Sequence, residues 1–312
     1  MSDRTPNKPL RRQRIPLAAA FCLVGALVPF GAGGAGLLDP YGGIRETTSY
    51  RATYEDTLLD VARRFSLGYV EIVAANPGTD PWIPGEGTSV VLPTLHLPPD
   101  AAPEGVVINL ADMRLYYFAE PGGAMQSFPI GIGRDGLLTP LGSTEVVRKT
   151  KDPTWRPTPR MRAEDPALPE AVPPGPDNPL GNRAMYLGWS QYLIHGTNKP
   201  LGIGRRTSSG CVRMYPEDVE YLYDRVAIGT KVTVVDQPIK LAWIDDALYI
   251  EAHTTMAQSD QIEMSGKFDP ILDSSVVEQV LAVAGAKAAV LDWSRIRQAT
   301  IERRGYPIRI TR

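Results

Sequence analysis

Residues His195 to Arg213 read HGTNKPLGIGRRTSSGCVR and gather a histidine, two adjacent serines, a glycine and Cys211 into one short stretch. A thiol of pKa about 8.5 is only a few per cent thiolate at neutral pH, and an adjacent imidazole that takes its proton raises that fraction. Cys211 is therefore a candidate nucleophile, and His195 a candidate general base and acid. Gly210 lets the main chain approach a tetrahedral intermediate, so the N–H groups of Gly210 and Cys211 are candidate oxyanion-hole donors. Losing one such donor costs about 3 kcal/mol of transition-state stabilisation. No acid lies near His195 in the sequence to orient it, which leaves a backbone carbonyl or a distant residue for that part.

Competing chemistries fail on counts. A zinc site takes about three to four ligands, whereas the chain has three scattered histidines (His96, His195 and His253), two cysteines and no H-E-x-x-H. The P-loop pattern G-x-x-x-x-G-K-[ST] is absent. Gly131 to Gly136 matches G-x-G-x-x-G, but Pro140 and Gly142 follow where a dinucleotide site must open a helix. These glycines are read as strand-end turns. The histidine precedes the cysteine, the reverse of the papain-like order. No metal and no cofactor is expected. His96, in the proline-flanked LHLPPDAAPEG, reads as a solvated linker residue, and His253 as a surface histidine.

The remaining cysteine, Cys22, falls in a segment with the marks of an export signal. Arg4, Lys8, Arg11, Arg12 and Arg14 precede an apolar run from Leu17 to Val28, and small residues follow from Gly31 to Gly36. That run is shorter than the roughly 18–20 residues that span a bilayer, so residues 1–36 are expected to be a cleaved signal peptide and the protein to be periplasmic. Its removal leaves Cys211 as the sole thiol. Exported proteins use cysteine mostly in pairs, so a solitary one points to chemistry. The formal net charge of −2, with no basic block beyond the N-terminus, argues against nucleic acid as a partner.

Several elements must position this stretch. Tyr192 to His195 reads as a short strand, and the glycine-rich tract 202–210 lets the chain double back as a returning strand that carries Cys211. Upstream, Val106 to Leu110 and Arg114 to Phe118 read as a hairpin with Ser127 to Ile132 as a third strand. Downstream, Pro216 to Val226 reads as a helix with proline in its first turn, followed by a strand from Lys231 to Val235. Residues 152–179 hold nine prolines in twenty-eight positions, a composition that predicts neither helix nor central strand. With Trp155, Met161, Arg156, Arg160 and Arg162, this segment is expected to be a lid over the site, its arginines available to carboxylates.

Residues 47–93 predict strand, two helices and strand, with Asp56 as the first N-cap. The pattern TL..VA.RF with the later NP, P.G and LP resembles a LysM module, a family that binds N-acetylglucosamine-containing glycans; Glu55-Asp56-Thr57 stands where Gly-Asp-Thr is usual. Residues 237–312 predict a hairpin turning at Asp245-Asp246 and helices near 275–285, with a Ser275–Glu278 capping box, and 293–304. A closing strand pair is expected from Ala288 to Leu291 and Ile308 to Thr311.

Residues 104–236 resemble an L,D-transpeptidase catalytic domain of the YkuD type, whose signature is H-G-[ST] followed by [ST]-x-G-C-[IV]-R. His195, Gly196, Thr197, Ser208, Gly210, Cys211 and Arg213 match it, as do the upstream Thr139-Pro-Leu-Gly142 and the GPDNPLG before the histidine strand. The whole chain is similar to ErfK-type members. The resemblance implies a mainly β, sandwich-like catalytic domain over 99–236 with one helix after the cysteine strand. A small βααβ LysM-like module with linker occupies 37–98, and an α+β extension 237–312. It implies peptidoglycan stem peptides and glycan as partners, with a second stem or an outer-membrane protein or lipoprotein as acyl acceptor. Ser208, Ser209 and Thr197 then belong to the oxyanion and substrate network, and Arg213 either pairs with a substrate carboxylate or serves the fold. The alternatives are an L,D-carboxypeptidase or a hydrolase that releases wall-bound protein, and a non-catalytic wall-binding protein.

Overall fold

The computed structural model describes residues 47–312, so the expected signal peptide and the linker over 37–46 lie outside the described residues. The first unit runs β1 (Thr48–Arg51), α1 (Leu58–Arg64), α2 (Tyr69–Ala75) and β2 (Ser89–Leu92). β1 and β2 pair antiparallel, with Thr48 opposite Leu92. Thr57 rather than Asp56 caps α1. Its hydroxyl accepts the Asp60 N–H at 3.1 Å while the Asp60 carboxylate accepts the Thr57 N–H, a reciprocal capping box. Asp56 is buried instead, accepting hydrogen bonds from the Tyr50 and Thr53 hydroxyls.

The central unit contains β3 (Gly105–Asn109), β4 (Arg114–Phe118), β5 (Met125–Gly133), β6 (Gly142–Lys151), α3 (Pro159–Glu164), β7 (Arg183–Leu187) and β8 (Leu193–His195). It continues with β9 (Arg206–Ser208), β10 (Val212–Met214), α4 (Pro216–Arg225) and β11 (Lys231–Val235). The strand order is β10-β8-β7-β6-β11-β3-β4-β5-β9, and β10 also pairs with β5. The sheet therefore curls until its ends meet, and the strand that follows Cys211 is the seam. β4 is buried on both faces. Leu115 and Tyr117 point into the main core, while Tyr116 and Phe118 pack with Val107 and Met125 on the other side.

Sequence periodicity misses β6 and β7, and two further expectations change here. β10 runs parallel to β8 rather than returning antiparallel, because β9 intervenes between them. The proline-rich segment does hold a helix, α3. Pro159 occupies its first turn, where a missing N–H costs nothing, and the Thr158 hydroxyl accepts the Met161 N–H. Gly131 and Gly133 lie within β5 and are followed by a turn and β6, not by a helix.

The last unit comprises β12 (Ile239–Ile244), β13 (Ala247–Ala252), α5 (Met256–Ser265), α6 (Ser275–Ala284), α7 (Trp293–Glu302) and β14 (Ile308–Arg309), with its own core around Leu248, Ile250, Val280 and Ile296. Residues 285–290 form a 3-10 turn, so the expected pairing of Ala288 to Leu291 with Ile308 to Thr311 shrinks to one antiparallel bridge, Leu291 with Thr311, and β14 pairs with β13. Ser274, not Ser275, stands at the N-cap of α6, and the Ser275 hydroxyl donates to Asp273. Among the described residues no helix is long and apolar enough to cross a membrane.

A buried charged cluster joins the three units. Lys240 Nζ lies 2.9 Å from Asp112 Oδ2 and 2.9 Å from Glu251 Oε1, and it also donates to Leu97 O and Tyr116 Oη. His96 is not solvated. It is fully enclosed between Glu71 at 3.3 Å and Glu251 at 3.2 Å, because the connector runs through the junction and not over it. His253 is likewise buried, 2.7 Å from Glu251. Asp112, Glu251 and His253 converge closely enough to suggest a cation site, but the Lys240 ammonium already sits between the two carboxylates.

Candidate active site

The pairing of β8 with β10 builds the site. Val212 lies opposite Ile194, and Arg213 opposite His195. Ile194 and Val212 point into the core, so the alternation of side chains along each strand puts His195, Arg213 and Cys211 on the other face. One short parallel ladder thus brings together residues sixteen positions apart in the chain.

His195 is buried, and its Nδ1 lies 2.6 Å from Gly196 O. A carbonyl only accepts, so Nδ1 carries the proton and Nε2 is the basic nitrogen of the neutral ring. The orienting group is thus a backbone carbonyl from the very next residue. Burial drives the ring's pKa down to about 4; the Gly196 and Leu180 carbonyls oppose this, and the Arg213 guanidinium reinforces it. Cys211 Sγ faces Gln191 O at 3.4 Å as an S–H donor. Burial pushes the thiol up, against the Leu193 backbone and Arg213, which both favour the thiolate. The resting pair is therefore neutral, whereas an adjacent imidazole alone would raise the thiolate fraction. Among the described residues Arg213 meets no carboxylate: Nη2 donates to Thr207 Oγ1, and Nε is buried without a partner.

The loop before Cys211 is fastened from several sides. Ser208 Oγ donates to Cys211 O at 2.6 Å and accepts the Gly210 N–H at 3.1 Å. In this resting arrangement the Gly210 N–H is thus already engaged. Thr139, from the Thr-Pro-Leu-Gly segment, donates to Gly210 O at 2.9 Å. Gly210 has a φ of +105°, and a Cβ there would stand 2.9 Å from the Tyr192 ring. Thr197 is buried with its hydroxyl accepting the Lys199 N–H, while the Gly196 N–H bonds Arg183 O. Ser209 faces the cavity above the thiol. The sequence motif supplies all of these residues except Gln191 and Tyr192, whose loop has no chemical signature of its own.

A cavity of about 620 Å³ opens over Cys211. One wall comes from the proline-rich segment through Trp155, Arg156, Arg160 and Met161, so that segment does cover the thiol. Asn178 ties it down, its side-chain amide donating to Pro153 O, Val172 O and Pro173 O. Trp155 and Val172 bridge as a single antiparallel pair.

A thiol under a covered cavity, with an imidazole and a guanidinium that meets no carboxylate among the described residues on the same sheet face, defines a candidate acyl-transfer site on a mainly β scaffold. Residues 103–234 match the YkuD family, described as the L,D-transpeptidase catalytic domain. The chain is 39% identical over 255 residues to the probable L,D-transpeptidase YbiS of Escherichia coli (strain K12), covering 80% of this chain and 81% of that protein. It is 37% identical over 256 residues to the probable L,D-transpeptidase ErfK/SrfK of Salmonella typhimurium, with the same coverage of 80% and 81%. To the probable L,D-transpeptidase YcfS of Escherichia coli (strain K12) it is 39% identical over 240 residues, 74% of each chain. This protein belongs to the L,D-transpeptidase family.

Proposed function

We propose that this chain is an exported, periplasmic peptidoglycan L,D-transpeptidase that works through a Cys211 thioester. His195 Nε2 takes the thiol proton as Sγ attacks the carbonyl joining residue three of a stem peptide to D-Ala. The carbon–nitrogen bond breaks, the departing D-Ala amine takes the proton from the imidazolium, and a thioester remains. An acceptor amine, from a second stem or from a lysine of an envelope protein, then attacks this thioester and releases Cys211. The Cys211 N–H and a re-aimed Gly210 N–H serve the oxyanion, with Ser208, Ser209 and Thr197 holding the loop and the substrate network.

The observation that carries this reading is the β8–β10 register, which puts His195 and Arg213 on the same face as Cys211, the member of the three that lines the cavity. Arg213 stabilises the thiolate as it forms. The βααβ unit exposes Tyr54 and Trp82 on its two longer loops, which supports a glycan-holding role, tested by sacculus pull-down of Trp82→Ala. The reaction is tested by incubating the protein with tetrapeptide muropeptides, with and without an amine acceptor, and weighing the products. D-Ala release with a cross-linked product is expected. Release without transfer would make it a carboxypeptidase, and no product from folded protein would sink the enzyme reading.

A further inference from the structure

The cavity over Cys211 is lined by three arginines, Arg148, Arg156 and Arg160, and by no aspartate or glutamate. Two of these cations already face acids of the lid: Arg160 lies 2.6 Å from Glu164, and Arg156 lies 4.0 Å from Glu170. Arg148 differs. Among the described residues it meets no carboxylate, and its contacts are the Thr150 hydroxyl at 3.2 Å and the Tyr186 ring, whose centroid lies 3.4 Å from the guanidinium carbon.

The backbone aims it there. The β6–β7 ladder pairs Val146 with Leu187 and then Arg148 with Tyr186, so Val147 is an extra residue on β6. A bulge of this kind redirects the side chain that follows it. The guanidinium carbon then lies over an aromatic ring while Nη1 donates to Thr150, which leaves the Nε–Nη2 edge for a planar, bidentate partner.

We propose that Arg148 is a specificity-determining residue that binds a carboxylate of the acyl-donor stem, one that stays on the enzyme after the terminal residue has left. This rests on the transpeptidase reading above. β6 lies three strands from β10 in the sheet, roughly 14 Å at about 4.8 Å per strand. Arg148's own reach shortens that span to about two residues of extended stem, at about 3.5 Å each. The carboxylate of the leaving D-Ala is too close to the scissile bond to fill that span. Two carboxylates of a stem fit: the α-carboxylate of the γ-linked glutamate and the side-chain carboxylate of a diaminopimelate at residue three.

The test compares the tetrapeptide with two analogues, one amidated at the glutamyl carboxyl and one at the diaminopimelyl carboxyl, on the full chain and on Arg148→Gln. Wild-type protein should lose about tenfold or more in kcat/KM on one of the two amides, as expected for a charge-assisted hydrogen bond. Arg148→Gln should lose the same factor on the acid and lose nothing further on that amide, which identifies the carboxylate. An equal loss on all three peptides, or wild-type discrimination retained in Arg148→Gln, would overturn the proposal. Iodoacetamide labelling of Cys211 at an unchanged rate shows that the variant is folded. If wild-type protein turns over no peptide, the transpeptidase reading fails by itself. Calorimetric Kd values of the same three peptides on Cys211→Ala, with and without Arg148→Gln, then decide on Arg148: the same pattern supports it, and indifference to Arg148 refutes it.

Discussion

Replacing Lys240 by methionine is expected to destabilise the fold by about 3–5 kcal/mol near neutral pH, because it deletes a cation and leaves two anions behind. Asp112 and Glu251 are both enclosed, and the Lys240 ammonium is 2.9 Å from each. A whole buried ion pair is worth little against apolar packing, so the loss is that of uncompensated charge. Adding Glu251→Gln to Lys240→Met should accordingly restore part of it. At about 2–4 °C per kcal/mol for a chain of this size, Tm should fall by roughly 6–20 °C.

The pH dependence has a definite sign. Burial pushes both carboxyls up, yet Lys240 and the surrounding hydrogen bonds more than offset it and hold both below the usual range. Their contribution is present above the ordinary carboxylate pKa and is lost as pH falls through the lowered values. Without Lys240 the carboxyls rise and take up protons earlier. The variant's deficit against wild type should therefore shrink between about pH 8 and about pH 5. Urea denaturation at the two pH values measures it. A deficit below about 1 kcal/mol at the higher pH, or one that grows at the lower, would refute the reasoning.

Two other outcomes are expected. Because burial holds the Cys211 thiol above its ordinary pKa, the rate of alkylation by iodoacetamide should still be climbing at about pH 9; a plateau reached by neutrality would reveal a resting thiolate instead. Gly204 has a φ of +72°, and a Cβ there would lie 2.1 Å from Tyr69 N, where α2 docks on the loop before Cys211. Gly204→Ala should thus cost more than about 2 kcal/mol, and an unchanged urea midpoint would contradict that close approach.

What could be read in advance was what the chain encodes locally. The histidine and cysteine motif lies within one stretch, β4 announces itself by Leu115-Tyr-Tyr-Phe118, and α4 by Pro216 ahead of buried Val219 and Leu222. β6 was illegible because nine of its ten residues, all but Val146, are exposed or half-buried, so it has no apolar alternation. α5 was missed for a similar reason: it is held by the Thr255–Gln258 capping box and buries one apolar residue, Ile262. The burial of His96 depends on Glu251, 155 positions away, and no connector composition carries that information. Nor does composition reveal the bulge at Val147 that sets the exposed Arg148 against Tyr186 at the cavity rim.

The neutral resting pair follows from where the seam lies. Burial disfavours the charged forms of both Cys211 and His195. Among the described residues Arg213 is the permanent charge that acts on both, since a guanidinium does not deprotonate in a protein. It favours the thiolate and disfavours the imidazolium, so it splits the two partners unequally. On the proposed assignment burial, reinforced by Arg213, holds the ring's pKa at about 4 and makes His195 a weaker base than a free imidazole but, once protonated, a stronger acid. The leaving D-Ala amine needs that acid, because an amide nitrogen is a poor leaving group until it is protonated. A substrate that excludes water while placing its carbonyl against Cys211 then supplies, through the oxyanion donors, the stabilisation that the resting thiol lacks.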